Sequence, residues 1–280
     1  MTQKSIGFIG GGNMAKSLIG GLIQSGVPAS QIVVSEPLRN SREDLIKRFG
    51  IEVFEANGEV ASRADILVLA VKPQMMRTAI DSIASFLRSR DVLFISIAAG
   101  ITIKSLERWL GGEPSIVRVM PNTPALIGAG ISALFANPNV SDVGRDDAER
   151  ILQAVGKTVW LTKEKLLDAV TAVSGSGPAY YFYMMEALQN AAITEGLDAA
   201  TARLLTIETA LGASRLALAS KESVTTLREQ VTSPGGTTEA ALNIMQSEKM
   251  AESYVKAVAA ARRRADELSR ELGSSDEEVQ

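Results

Sequence analysis

Ser5-Ile-Gly-Phe-Ile9 followed by Gly10-Gly11-Gly12-Asn13-Met14-Ala15 is the stretch on which the fold turns. A short apolar run ends in glycines, and residues 14–25 continue at helical spacing, which is the strand, turn and helix of a βαβ unit. Within it, Gly10-x-Gly12-x-x-Ala15 has the spacing of a dinucleotide fingerprint. Gly10 allows the tight turn, Gly12 lets backbone N–H groups approach a pyrophosphate, and Ala15 permits close helix–strand packing. The phosphate then lies at the positive end of the helix. Gly10, Gly11, Gly12, Asn13 and Met14 are therefore candidate cofactor-binding residues. The plainer reading is a glycine-rich βα turn, and the agreement of strand, helix and N-terminal position favours the cofactor.

Outward from that stretch the pattern repeats. Residues 31–35, 65–71, 91–96 and 115–119 are short β-branched runs, almost continuously apolar, as strands buried on both faces of a parallel sheet are. Helical stretches lie at 14–25, 41–49, 75–87 and 103–110, and the alternation predicts a doubly wound layer. Residues 131–135 and 158–161 extend the sheet, with a helix over 142–155 between them. After Thr162 the β-branched clusters vanish and Ala, Leu and Glu dominate, in helices expected at 165–173, 178–195, 198–219, 223–231, 237–246 and 249–272. The fold class is thus α/β: an N-terminal Rossmann-type doubly wound, mostly parallel sheet (1–162), a C-terminal all-helical domain (163–272), to which the family resemblance given below assigns substrate binding and dimerisation, and an acidic disordered tail (273–280). Residues 179–185 and 202–219 are apolar almost all round, as in helices buried on several sides. They suggest a subunit interface.

Composition narrows the chemistry. The 280 residues include no Cys and no His, which removes disulfides, zinc sites of the usual kind, thiol nucleophiles and any imidazole acid or base. No carboxylate spacing resembles a calcium loop, so no metal is expected. The formal charge is −3, and Asp276, Glu277 and Glu278 at the tail account for it. A near-neutral body lacks the basic footprint of a nucleic-acid binder, and Arg262-Arg263-Arg264 points three ways around a helix. No run reaches ~18 apolar residues and the N-terminus lacks a secretory core. A cytoplasmic protein without membrane or nucleic-acid partners is expected.

Further candidates end the predicted strands, where open α/β sheets place their ligands. After the second strand, Glu36 is positioned to accept the ribose hydroxyls of NAD, while Ser35 and Arg39 are groups that hold a 2′-phosphate. Alternatively, Glu36 faces solvent and Arg39 pairs with Glu43 at i,i+4. Ala70, Val71, Lys72 and Pro73, then Ala98, Ala99 and Gly100, then Pro121, Asn122 and Thr123 wall the same crevice or are plain strand exits. In the helical half, Ser174-Gly-Ser176-Gly-Pro178 opens a helix. The loop Ser233-Pro-Gly235-Gly236-Thr237-Thr238 interrupts two helices. It is either an anion site suited to a small carboxylate, at a helix N-terminus, or a capped interhelical turn.

These segments, in this order from Lys4 to about Leu272, resemble the pyrroline-5-carboxylate reductases. The most specific is Ser233–Thr238, which fits that family's Ser-x-Gly-Gly-x-Thr core before an apolar helix. The resemblance implies hydride transfer from NADPH or NADH to 1-pyrroline-5-carboxylate, giving L-proline, the last step of proline biosynthesis. It implies NADP(H) as the preferred cofactor with NAD(H) possible. It places the substrate on Ser176, Ser233, Gly235, Gly236, Thr237 and Thr238, with the loop Ser233–Thr238 holding its carboxylate and Thr238 catalytic near the ring nitrogen. It also implies homodimers through the helical domains, assembled into larger rings. Glu36 departs from the NADP preference. Two other readings are a β-hydroxyacid dehydrogenase, which wants a Lys base on the long helix where residues 178–195 have none, and a non-catalytic nucleotide sensor, which has no use for a carboxylate loop.

Overall fold

The apolar runs become strands because each can bury both faces under helices. In the computed structural model, which describes residues 4–87 and 90–274, the chain runs β1 (Ile6–Ile9), α1 (Asn13–Gln24), β2 (Ile32–Ser35), α2 (Arg39–Phe49), β3 (Glu52–Phe54), α3 (Asn57–Ala61), β4 (Ile66–Leu69), α4 (Met76–Asp81), β5 (Leu93–Ser96), α5 (Ile103–Leu110), β6 (Ser115–Met120), β7 (Gly130–Ala136), α6 (Asp142–Gln153) and β8 (Gly156–Trp160). Among the described residues these strands form one sheet in the order β3-β2-β1-β4-β5-β6-β7-β8. Every pairing is parallel except β6 with β7. Between β6 and β7 lies only a 3₁₀ turn, Thr123–Ile127, too short for the crossover that a parallel neighbour needs.

Period-two alternation sorts the sheet into two cores. Ile6 and Phe8 of β1 join the core under α1, α2 and α6, whereas Ile9 joins the one under α3, α4 and α5. Gly7 faces that second core, where a Cβ would come 2.6 Å from Val60 and 2.7 Å from Ala64. The helix α3 can approach β1 only at a residue without a side chain.

Two short elements escape the sequence pattern. The edge strand β3 spans three residues and α3 five, too few for a periodicity to register. The helix expected at 75–87 is shorter: a 3₁₀ turn at Pro73–Met75 leads into α4, and another follows at Ala84–Phe86. There Ser82 donates its hydroxyl back to the Ala79 carbonyl at 2.6 Å, a local contact that competes with helix continuation.

Beyond β8 come α7 (Leu166–Val170), a π turn (Thr171–Gly175), α8 (Gly177–Thr194), α9 (Ala199–Ala219), α10 (Val224–Gln230), α11 (Thr237–Ser247) and α12 (Met250–Ser274). The compact units do not divide at the change in composition: among the described residues, those up to 176 and those from 261 on form one, and residues 177–260 the other. The first unit keeps α7 because its contacts are with the sheet. Buried Arg118 on β6 pairs with Glu164, whose carboxylate also accepts the Ile103 N–H at 2.7 Å. Burial pushes the Asp168 carboxyl up, with the Arg118 charge opposing it. The end of α12 belongs to this unit as well, since a Cβ on Gly100 would come 3.0 Å from Leu272, and Arg108 donates to the Gly273 carbonyl at 2.9 Å. Of the disordered tail expected at 273–280, Gly273 and Ser274 instead continue α12, whose end packs on the first unit, and residues 275–280 lie outside the described residues.

In the second unit, α8 and α9 carry exposed apolar side chains on several sides, among them Tyr183 at 75% and Leu218 at 85% exposure. Helices this apolar call for a covering surface. No helix among the described residues is long and apolar enough to cross a membrane.

Gly21 tests the packing of the first unit. In an open helix Ala would be favoured by ~1 kcal/mol, but a Cβ here would sit 2.4 Å from the Ala154 carbonyl oxygen. Because that oxygen belongs to backbone, Gly21→Ala should lower stability by about 1–3 kcal/mol, seen as a lower melting temperature in calorimetry.

Candidate functional site

Three strand ends converge on the glycine turn. Gly10 adopts φ +99°, its N–H donates to the Ser35 carbonyl at 3.0 Å, and a Cβ would lie 3.0 Å from both the Ala70 carbonyl oxygen and Val71. Gly11 is equally confined, with Leu45 2.6 Å from its would-be Cβ. Gly12 is different: nothing lies within 4 Å of a Cβ built there. It is the N-cap residue of α1 and no side chain caps the helix, so the first N–H groups of α1, on Asn13 and Met14, await an acceptor. An open surface of backbone donors at a helix N-terminus fits a pyrophosphate.

The loop after β2 resolves the competing readings of its polar residues. Glu36 is partly exposed but not free: its carboxylate accepts the Gly11 N–H at 3.1 Å and the Leu38 N–H at 3.0 Å. Ser35 is fully buried, and its hydroxyl donates to Asn57 Oδ1 at 2.7 Å, so the structure commits it to the fold and not to a phosphate. Arg39 pairs with Glu43 at 2.9 Å, the i,i+4 alternative. Arg42, which the sequence reading passed over, donates to the carbonyls of Glu36 and Pro37 at 2.9 and 2.7 Å and to Glu55 at 2.9 Å.

At the other strand exits, Lys72 is exposed at the start of the Pro73–Met75 turn. Ala98 is buried and Ala99 partly so. Gly100 serves to admit Leu268 and Leu272 of α12. Pro121 is buried and Thr123 exposed. Asn122 is buried and spent at both ends, donating to the Ser174 carbonyl at 3.2 Å and accepting the Ile131 N–H at 3.0 Å. It therefore ties the β6 exit to the π turn, where a Cβ on Gly175 would come 2.5 Å from Met120. These two bonds make it a brace between the strand exit and the π turn. Ser176 closes the π turn, its N–H donating to the Thr171 carbonyl at 2.8 Å.

In the second unit the glycine loop precedes α11. Gly235 has φ +71°, and the Gly236 N–H donates to the Ser233 carbonyl at 3.0 Å. Gly236 is the N-cap residue and no side chain caps the helix, leaving the N–H groups of Thr237 and Thr238 at an open helix start. Glu239 holds the loop by accepting the Gly235 N–H at 2.7 Å. The sequence reading gave Glu239 no role, although a glutamate three residues after the N-cap position is the spacing of a capping box. Among the described residues no cluster of carboxylates could hold a metal ion.

A glycine turn at a helix start on a Rossmann-type sheet, in a chain whose helical half carries a glycine loop before α11, is the architecture of a pyridine-nucleotide oxidoreductase. The family model for NADP oxidoreductases that are coenzyme F420-dependent matches residues 5–100, and that for pyrroline-5-carboxylate reductase dimerisation matches residues 164–268. The chain is 48% identical to the pyrroline-5-carboxylate reductase of Pseudomonas aeruginosa over 98% of its own length and 100% of that protein's. It superposes on the structure of a pyrroline-5-carboxylate reductase from Coxiella burnetii with a TM-score of 0.91 at 43% identity, covering 96% of this chain and 99% of that one. For the Plasmodium falciparum pyrroline carboxylate reductase with NADP bound, the values are 0.86 and 30%, with 96% and 99% covered. The chain belongs to the pyrroline-5-carboxylate reductase family.

Two substitutions separate the sites. Gly12→Ala meets no atom and no positive φ, so the melting temperature should hold while the dissociation constants for NADH and NADPH rise at least tenfold; unchanged binding would mean the turn holds no phosphate. Glu239→Ala removes the acceptor of the Gly235 N–H, costing about 0.5–2 kcal/mol at the cap. Affinity for L-proline should then fall several-fold with nucleotide affinity intact, both read by titration calorimetry.

Proposed function

We propose that this chain reduces 1-pyrroline-5-carboxylate to L-proline with NADPH or NADH, as the last step of proline biosynthesis. The observation that carries the proposal is the Ser233–Thr238 loop, held open before α11. It belongs to a chain that also has the nucleotide cradle and matches reductases of that name over nearly its whole length. When bound, the reduced nicotinamide supplies a hydride, and the family resemblance alone favours NADPH over NADH.

The protein's part is binding and orientation. Gly10, Gly11, Gly12, Asn13 and Met14 hold the pyrophosphate on backbone N–H groups, and the exits of β4, β5 and β6 wall the cofactor. The N–H groups at the start of α11 receive the substrate carboxylate, supported by Ser233 and by the dipole of that helix. Orientation of this kind is worth ~7–11 kcal/mol of barrier. A protonated imine is already electrophilic, so a chain without His needs no strong general acid. The Thr238 hydroxyl suffices to orient the ring nitrogen or relay a proton to it.

Assembly follows from the same reading. The chain forms a homodimer by covering the apolar faces of α8 and α9, and dimers associate further into rings. The enzyme works in the cytoplasm, on a small zwitterionic substrate.

Mixing the protein with NADPH or NADH and the imine, and following the loss of reduced-nicotinamide absorbance together with formation of proline, tests the activity directly. No oxidation with either nucleotide would overturn it. Thr238→Ala should lower kcat/KM at least tenfold and Thr238→Ser should recover part of it, whereas full activity in Thr238→Ala would remove the assigned role.

A further inference from the structure

We infer that Glu36 makes NADH the preferred reductant of this chain, by presenting its carboxylate to the adenosine ribose where a 2′-phosphate would have to sit. The inference rests on the reading of the glycine turn as the nucleotide cradle, and it reverses the preference that the family resemblance suggests.

Glu36 is held at three points. Its N–H donates to the Phe54 carbonyl at 2.9 Å, which pins the residue to β3. Its Oε2 accepts from Gly11 and its Oε1 from Leu38, so the carboxylate bridges the glycine turn and the loop into α2. A Cβ on Gly11 would lie 3.2 Å from Oε2, which puts the carboxylate against the surface of the turn itself. Each oxygen uses one acceptor position on backbone and keeps a second. Two such oxygens at the end of the second strand suit the two hydroxyls of an unphosphorylated ribose.

A 2′-phosphate would bring a second anion to that carboxylate and would need cations. The arginines of this region are engaged. The guanidinium of Arg42 donates to two carbonyls and to Glu55, and its side chain is only 19% exposed. Arg39 pairs with Glu43; being 83% exposed, it can swing away, whereas the Glu36 carboxylate is fastened to two backbone N–H groups. Among the described residues no cation pairs with Glu36, so its charge stands unbalanced beside the cradle. Ser35, the remaining candidate for a phosphate, is buried on Asn57.

A purely structural latch would hold the same two N–H groups, and the experiment separates the two roles. Dissociation constants for NADH and NADPH are measured by titration of nucleotide fluorescence, without imine, for the wild type, Glu36→Gln and Glu36→Ser, alongside kcat/KM for both nucleotides. The wild type should bind NADH at least tenfold tighter than NADPH. Glu36→Gln, which keeps the shape and an acceptor but not the charge, should shrink the ratio at least fivefold, and Glu36→Ser should shift it further toward NADPH. Tighter NADPH binding by the wild type would overturn the inference, as would an equal change for both nucleotides in Glu36→Gln. The wild-type ratio decides even if a variant fails to fold. Imine turnover without an NADH preference defeats this inference alone, selective NADH binding without turnover defeats the proposed activity alone, and failure to bind either nucleotide defeats both.

Discussion

Gly10 is the point on which the nucleotide half of this protein depends. At φ +99° its backbone lies where an L side chain is strained. Even without strain, a Cβ would crowd the carbonyl at the end of β4. Its N–H meanwhile closes onto the end of β2. Three strand ends therefore meet around one residue that has no side chain, and the chain can leave β1 and enter α1 within a few residues. The other glycines of the turn divide the remaining work. Gly11 makes room for Leu45 of α2, and Gly12 alone borders empty space, which leaves the helix N-terminus free for an anion.

Carboxylates take over tasks that other enzymes give to more varied groups. Glu36 fastens the glycine turn to the loop after β2, Glu164 fastens the start of α5 while pairing with Arg118, and Glu239 fastens the loop before α11. Each accepts a backbone N–H at the edge of a loop, a charge-assisted bond roughly twice as strong as its neutral counterpart.

The helical half has a different physics. Its helices are apolar on several sides, and within one chain Tyr183, Leu218 and their neighbours stand exposed. Such a surface is incompatible with a solitary soluble unit and matches the dimerisation family model that covers it.

The order of strands and helices, the glycine turn after β1 and the glycine loop before α11 were legible because each depends on local residue type: apolar runs make buried strands, and the positive φ at Gly10 and Gly235 favours glycine. The elements β3 and α3 were not, since three and five residues carry no period. Nor did spacing reveal that Asn122 is a brace and Ser35 a buried strut, because a polar side chain near a crevice looks the same in sequence whichever way it turns. The sequence by itself determined the class of fold, the glycine turn between β1 and α1 and the family. Tertiary structure alone decided that Glu36 holds the glycine turn, that Arg42 reaches Glu55 and that Ser35 is buried on Asn57. Those partners lie 25, 13 and 22 residues away along the chain, and such hydrogen bonds exist only once the sheet has brought the segments together.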